Sequence, residues 1–505
     1  MLALGSRLRS ILNRLPRVES PVWLLAVLVL ACVLRLFHIG ASSLWADEAF
    51  SWLVARQPAW AILTQRLEPI LPPLYHFLLH FWIRLGESET VLRGFSALCG
   101  LLTVPVIYAL GRELFTPATG LAAALLTAVL PFQVYFAQET RLYALVILLS
   151  ALLLWGFVRA CNKASWWRWT VLGFLFALNL YAHYFTAFIL LVLHAFVLLK
   201  WPRDRRYWWG MLLADGVALV LWGPHVPAAL AQTQQVATGF WLSTPSPLEL
   251  VKTLVYLLFS HTTPVYLNPV ALFTALSIIT LVAWAGIRAR GETRQRALLL
   301  LALVLAPNLI ALAISWLTKP VYLDRSFSLV APAYVLLLGW GLAHPPKGSP
   351  VRVLYGVLAV LIAISLGNYY LNPDPAKPPF REVGVVVREG WQEGDVLFHL
   401  HDSTYLPLRY YAPEAESYLL NNDPETWLPS YTWDWAGQRV SSLDKVASGR
   451  ERLWLVTADV QMSQEMIERH RGIVERIARS YDCEDARVWY GVSLMLCDLR
   501  EVDGE

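Results

Sequence analysis

The chain has 505 residues, of which 57% are hydrophobic and 15% charged, with a formal net charge of +4. An ordinary soluble protein carries about 25% charged residues, so the balance points to a membrane as the solvent. The positive excess is small and scattered through short loops, which excludes nucleic acid as the partner.

The basic stretch from Arg7 to Arg17 leads into an apolar run with no small-residue cleavage pattern after it, and reads as a retained first span rather than a removable signal. Runs fit to cross a ~30 Å hydrocarbon core follow in order: Val22 to Phe37, Val91 to Leu110, Leu121 to Phe136 and Leu142 to Val158. Val171 to Leu199 reads as two short helices with a break near Tyr181. Trp208 to Trp222, Val270 to Ile287, Ala297 to Trp316, Phe327 to Leu342 and Val353 to Leu366 complete a set of about eleven. Pro72 to Leu85 and Leu250 to Ser260 are expected to lie along the membrane surface as amphipathic pieces.

With that assumption the basic loops fall on one side: Arg7 to Arg17, Arg112, Arg159 to Arg168, Lys200 to Arg206, Arg288 to Arg296, and Lys347 with Arg352. Lys and Arg crowd cytoplasmic loops because moving them across the bilayer is costly. The expected protein is therefore a multi-pass cell-membrane protein with a cytoplasmic N-terminus. The loops at Gly40 to Glu89, Gln133 to Glu139, Pro224 to Glu249 and Lys319 to Arg325, and the tail after about residue 370, lie outside.

Composition changes at the tail, where Pro373, Pro375, Pro378 and Pro379 form a linker. The chain thus divides into a membrane domain, 1–370, and a soluble extracytoplasmic α/β domain, 371–505. Helices are expected at Arg381 to Glu389, Tyr405 to Tyr411 and Ser463 to Arg479, and strands at Asp395 to Leu400, Arg452 to Thr457 and Ala486 to Leu496. None of the five cysteines forms a CxxC motif, and Cys32 and Cys99 sit inside apolar runs. Cys483 and Cys497 flank a strand on the oxidising side and are expected to pair.

The outer loops carry the chemistry. Trp45-Ala46-Asp47-Glu48-Ala49 places two acids beside an aromatic just past the first span. Such a pair suits a solvated loop or a helix N-cap. It also suits a general base, Asp47, supported by Glu48. Glu68-Pro69-Ile70-Leu71-Pro72-Pro73-Leu74-Tyr75-His76 opens a surface helix with prolines in its first turn. Glu139 and Arg141 stand two apart at the lip of a span, where a snorkelling pair would look the same. His183 and Tyr184 lie in the break between short helices, and Lys319, Asp324 and Arg325 lie at another outer mouth.

Taken in order, the motifs resemble the GT-C glycosyltransferases, in particular glycosyltransferase family 39 with its dolichyl-phosphate-mannose protein mannosyltransferase and aminoarabinose transferase relatives. The matching residues are Trp45 to Ala49, Pro72-Pro73-Leu74-Tyr75, Arg93, Gln138-Glu139-Thr140-Arg141-Leu142-Tyr143-Ala144-Leu145, His183-Tyr184, and Arg325 with Pro332. Leu71 and Ser326 depart from the pattern, standing where relatives often carry His or Lys and where many carry Tyr. The resemblance implies a polytopic helical GT-C domain and a catalytic Asp47 helped by Glu48. It also implies a polyprenyl-phosphate-sugar donor and inversion at the anomeric carbon. Arg66, Glu139, Arg141, Tyr143, His183, Lys319 and Arg325 are the donor-binding candidates, since a departing phosphate must meet preorganised cations. Trp45 and Trp241 are candidates for stacking on a sugar. No cofactor is required and no metal ligands are assigned, although a divalent metal is compatible. The acceptor is a lipid, a protein or a polysaccharide, and the tail domain is the expected place for its recognition.

A transporter or lipid flippase is the alternative of another class. It would place ionisable residues near the midplane and show pseudo-symmetric halves, whereas Asp215 is the clearest mid-span acid here. A scaffold acting through its tail would leave Asp47, Glu48 and the Gln138 to Tyr143 segment without a role.

Overall fold

Each apolar run expected to cross the membrane is helical in the structure, a computed structural model that describes residues 20–200, 204–238, 242–345, 350–372, 377–420, 435, 439–459 and 464–500, although Leu121 to Phe136, expected as one span, is two helices. The basic stretch from Arg7 to Arg17, the linker prolines Pro373 and Pro375, and Trp241 lie outside the described residues. Seven helices are long and apolar enough to span, or eight if the bent pair Pro117–Val129 and Pro131–Ala137 is one span. The remaining runs, Pro21–Leu36, Trp166–Ala182 and Thr186–Lys200, are 16, 17 and 15 residues long, short of the ~20 that a straight crossing takes. The protein is thus a multi-pass membrane protein. The two expected surface pieces are short helices, Leu74–Trp82 and Glu249–Phe259.

The bend between Pro117–Val129 and Pro131–Ala137 is 57°. Pro131 cannot donate to the preceding turn, so carbonyls there lose their helical partners. Buried Arg35 from the first helix replaces them, donating to the carbonyls of Thr127 at 2.8 Å and Ala128 at 3.0 Å. Gly100 makes room, since a Cβ there would lie 2.9 Å from the Arg35 Nε and from the Ala137 Cβ. Gln138 then caps the end of the first helix, donating to the carbonyls of Arg35 at 2.9 Å and Phe37 at 2.8 Å. The segment from Gln138 to Arg141 is thereby locked beside the loop that follows the first helix.

After Leu371 the chain builds a mixed sheet of seven strands: β1 (Val396–His399), β2 (Ser417–Leu420), β3 (Val440–Ser441), β4 (Arg452–Ala458), β5 (Asp482–Cys483), β6 (Arg487–Trp489) and β7 (Val492–Asp498). The order is β3-β2-β1-β4-β7-β5, with β6 on β7; β1 to β4 run parallel and β7 runs antiparallel to β4. Cys483 and Cys497 form the expected disulfide between β5 and β7. The expected helices appear as Phe380–Gly390, Asp402–Tyr411 and Gln464–Ser480.

Side chains alternate across a strand, and here the two faces meet different cores. Val396, Phe398, Leu453 and Leu455 pack with Ile477 and Met495. Leu397, Trp454 and Val456 share a core with Phe50, Trp52, Leu53 and Val54 of the helix Ala46–Ala55. That helix, which carries Asp47 and Glu48, is buried at all ten positions between the sheet domain and the membrane helices.

Polar contacts fix the same junction. Arg381 donates to Glu89 Oε1 at 2.8 Å and to the carbonyls of Gly40 at 2.9 Å and Ala41 at 3.1 Å. The Tyr411 hydroxyl accepts from the Leu44 amide at 2.7 Å and donates to Glu89 Oε1 at 2.9 Å. Tyr411→Phe leaves the Leu44 amide without its acceptor and should cost about 1–3 kcal/mol, read as a lower thermal midpoint of the full chain. An unchanged midpoint would show that the junction does not depend on this hydroxyl.

Candidate active site

Adjacent residues on a helix point about 100° apart at 3.6 residues per turn, so Asp47 and Glu48 look in different directions from the first turn of Ala46–Ala55. Acids there are favoured by the unpaired amides of the helix N-terminus. Glu48 has both oxygens occupied: Arg93 reaches Oε1 and Oε2 at 2.8 Å each, the Thr140 amide reaches Oε1 at 2.9 Å, and Lys377 Nζ reaches Oε2 at 2.8 Å. Burial alone would raise its pKa, but the charges of Arg93 and Lys377 and their hydrogen bonds hold it at about 2. Lys377 itself is pulled below the usual lysine range by burial, against the attraction of Glu48.

Asp47 meets a different surrounding. Its Oδ2 lies 3.4 Å from Arg325 Nη1 and 3.7 Å from Arg141 Nε, near enough to attract, yet it is buried and accepts no hydrogen bond. The Nε atoms of Arg141 and Arg325 are likewise buried without acceptors. Buried polar atoms are nearly always partnered, so one acid and two guanidinium groups with unused capacity around one point form a site shaped for a further polar group.

Glu139 organises the rim. Its Oε1 accepts from Trp45 Nε1 at 2.9 Å and lies 4.0 Å from Lys377 Nζ. The Arg325 guanidinium stands 5.8 Å from the centre of the Trp45 ring, within cation–π range. Burial raises the Glu139 pKa, opposed by Lys377. Tyr143 is buried among the charges of Arg325, Arg141, Asp47 and Glu139. The structure thus gathers Trp45, Asp47, Glu48, Glu139, Arg141, Tyr143 and Arg325.

It places three other candidates elsewhere. Lys319 is exposed beyond the end of the helix Gly291–Leu317. Arg66 is exposed at a sharp turn, with φ at +51°. His183 lies buried in the helix break, where its Nδ1 accepts from the Phe185 amide at 3.1 Å.

Three residues absent from the sequence-based candidates belong to the cluster. Arg93 and Lys377 hold Glu48, and Glu68 Oε2 lies 4.0 Å from Arg141 Nη1. Glu68 is pushed up to about 7, chiefly by burial and against the pull of Arg141. Arg93 stood in the motif pattern and Glu68 in the proline segment, so both carried a signal. Lys377 carried none beyond its place in the linker.

Among the described residues, no three His, Cys, Asp or Glu side chains converge where a metal ion could sit. The free oxygen of Asp47 faces two guanidinium groups, and that of Glu68 lies 4.0 Å from one of them, a setting that repels a dication.

Comparison with known proteins agrees with this architecture. A family model described as dolichyl-phosphate-mannose-protein mannosyltransferase matches residues 71–227, a stretch that includes Arg93, Glu139 and Arg141. No protein of curated function matches the chain. Among solved structures, ArnT from Cupriavidus metallidurans in the apo state is 13% identical and superposes with a TM-score of 0.63, covering 94% of this chain and 97% of ArnT. The same protein bound to undecaprenyl phosphate gives 12% identity, a TM-score of 0.63, and coverage of 95% and 98%. The apo oligosaccharyltransferase of Archaeoglobus fulgidus is 13% identical with a TM-score of 0.51, covering 86% of this chain and 69% of that one. At such identities the likeness speaks to the fold, and the fold of this chain, membrane helices and terminal sheet domain together, is the GT-C fold.

Proposed function

We propose that this protein is an inverting glycosyltransferase that moves a hexosyl or pentosyl group from a polyprenyl-phosphate donor to an acceptor at the extracytoplasmic face of the cell membrane. The observation that carries the reading is the unpartnered Asp47 Oδ2 between Arg141 and Arg325. An acceptor hydroxyl gives its proton to Asp47 as its oxygen attacks the anomeric carbon. The bond from that carbon to the phosphate oxygen breaks, and the charge gathering on the leaving phosphate meets the two guanidinium groups. One displacement inverts the carbon. Glu48, Arg93 and Lys377 hold the helix that aims Asp47, and Glu139 holds Trp45 at the rim, where its ring can contact the sugar. The GT-C fold and the undecaprenyl phosphate bound by the C. metallidurans relative support a lipid-linked donor.

The distribution of charge supports the orientation. Glu89–Leu114 and Tyr143–Asn162 both start beside the site and carry Arg112 and Arg159 in their last turns. Arg296 donates to the Leu114 carbonyl at that far end. Arg112, Arg159 and Arg296 therefore stand at the end away from the site, as the positive-inside rule expects of an outward-facing site. On this reading residues 1–370 perform transfer, and 371–505 face the acceptor, whether lipid, protein or polysaccharide.

The test is transfer of radiolabel from a panel of undecaprenyl-phosphate sugars in membranes carrying the protein, with the anomeric configuration of the product read by NMR. Transfer with inversion is expected. Product of retained configuration would rule out the single displacement.

A further inference from the structure

Two turns along the helix Ala46–Ala55 from Asp47, Val54 lies on the same face, about 10 Å away at 1.5 Å per residue. There it lines a cavity of about 10 Å³, room for one hydroxyl or water, with Arg66, Glu68, His76, His225 and Gln232. His76 is 1% exposed, and both of its ring nitrogens are buried without a hydrogen-bond partner. Glu68 is 5% exposed, and its Oε2 is also without one. The two side chains stand 4.0 Å apart, too far to satisfy each other. Three unused polar atoms on one cavity wall are expensive to bury unless something binds there.

The wall is held in place. Gln232 donates to the carbonyls of Glu68 at 2.6 Å and Leu71 at 3.2 Å, its own carbonyl accepts from the Tyr184 hydroxyl, and that hydroxyl bonds His225 Nε2 at 2.9 Å. Arg66 adopts a left-handed backbone conformation, which is unfavourable for a residue with a side chain. The turn it makes brings Glu68 inward, where Gln232 grips the backbone.

We propose that Glu68 and His76 form a subsite that binds a single hydroxyl group of an uncharged polyol acceptor, beyond the hydroxyl that reacts at Asp47. This rests on the glycosyltransferase reading above. Burial and the neighbouring Arg141 hold His76 neutral, with its pKa pushed down to about 3. A neutral imidazole offers one donor and one acceptor, the complement of a hydroxyl. Arg141 and Arg66 disfavour a cationic group in this space, and a neutral His76 beside a Glu68 carboxyl pushed up to about 7 suits an uncharged hydroxyl.

The test uses the full chain in lipid nanodiscs and methyl glucoside as the probe, followed by saturation-transfer NMR, with methyl phosphate and methylammonium as charged controls. The wild type should bind methyl glucoside in preference to both. His76→Phe should weaken that binding roughly tenfold, the effect of losing one or two hydrogen bonds, and His76→Gln, which keeps one donor and one acceptor, should recover most of it. No binding by the wild type, equal binding by His76→Phe, or a preference for either charged probe would overturn the subsite. Binding as expected with no sugar transferred from any donor would sustain the subsite and count against the transferase reading alone.

Discussion

Asp47→Asn should lower the rate of sugar transfer by about 10²- to 10⁴-fold, the range removed with a positioned general base, while the protein still folds and still binds its lipid-phosphate donor. Asparagine keeps the shape of aspartate, and Asp47 accepts no side-chain hydrogen bond that the change would break. What disappears is the proton acceptor and one negative charge between Arg141 and Arg325. Donor affinity should hold or rise, because the phosphate no longer shares those cations with a carboxylate. The loss should therefore fall on kcat rather than on the donor KM. Radiolabel transfer under single-turnover conditions, with donor binding measured separately, checks both halves. Turnover at the wild-type rate would remove Asp47 from the chemistry, and the acid left to consider would be Glu68, which shares Arg141 with it.

Features written in local patterns could be read from the chain alone. The membrane helices follow from runs of apolar residues, the surface helices from their shortness and amphipathic pattern, and the break near Tyr181 from the polar residues there; the bend at Pro131, inside the run Leu121 to Phe136, went unread because an apolar run hides it. Asp47, Arg141 and Arg325 were accessible through their motifs. The pairings between motifs were not, because they join residues far apart in sequence. Glu48 meets Arg93 across 45 residues and Lys377 across 329, and nothing near Lys377 announces that the linker turns back into the membrane domain. The reverse failure befell Arg66 and Lys319: charge and side of the membrane recommended both, but exposure follows from the turn each occupies. In the sheet domain β2, β3 and β5 went unseen, since strands of four and two residues are too short to show a period.

Arg93→Met should destabilise the protein by about 3–5 kcal/mol, the cost of removing the main cation from a buried carboxylate and of freeing three backbone carbonyls. Arg93 is 1% exposed and Glu48 0%. All five guanidinium N–H groups are used, two on Glu48 and three on the carbonyls of Ile39 at 3.0 Å, Ser42 at 2.9 Å and Ser43 at 2.9 Å. Lysine, with three donors on a point charge, cannot reproduce that fork, so Arg93→Lys should fall close to Arg93→Met. The sign of the pH dependence follows from Glu48. Its folded value of about 2 lies below the ordinary glutamate value near ~4.3. Its contribution is then fully present above that ordinary value and is lost as pH falls toward 2. Thermal unfolding of the purified wild type should accordingly show an acid limb below about pH 4 that is shallower in Glu48→Gln. An Arg93→Met protein as stable as the wild type at neutral pH would mean that the loop from Ile39 to Ser43 and the helix bearing Asp47 are held by the sheet domain alone.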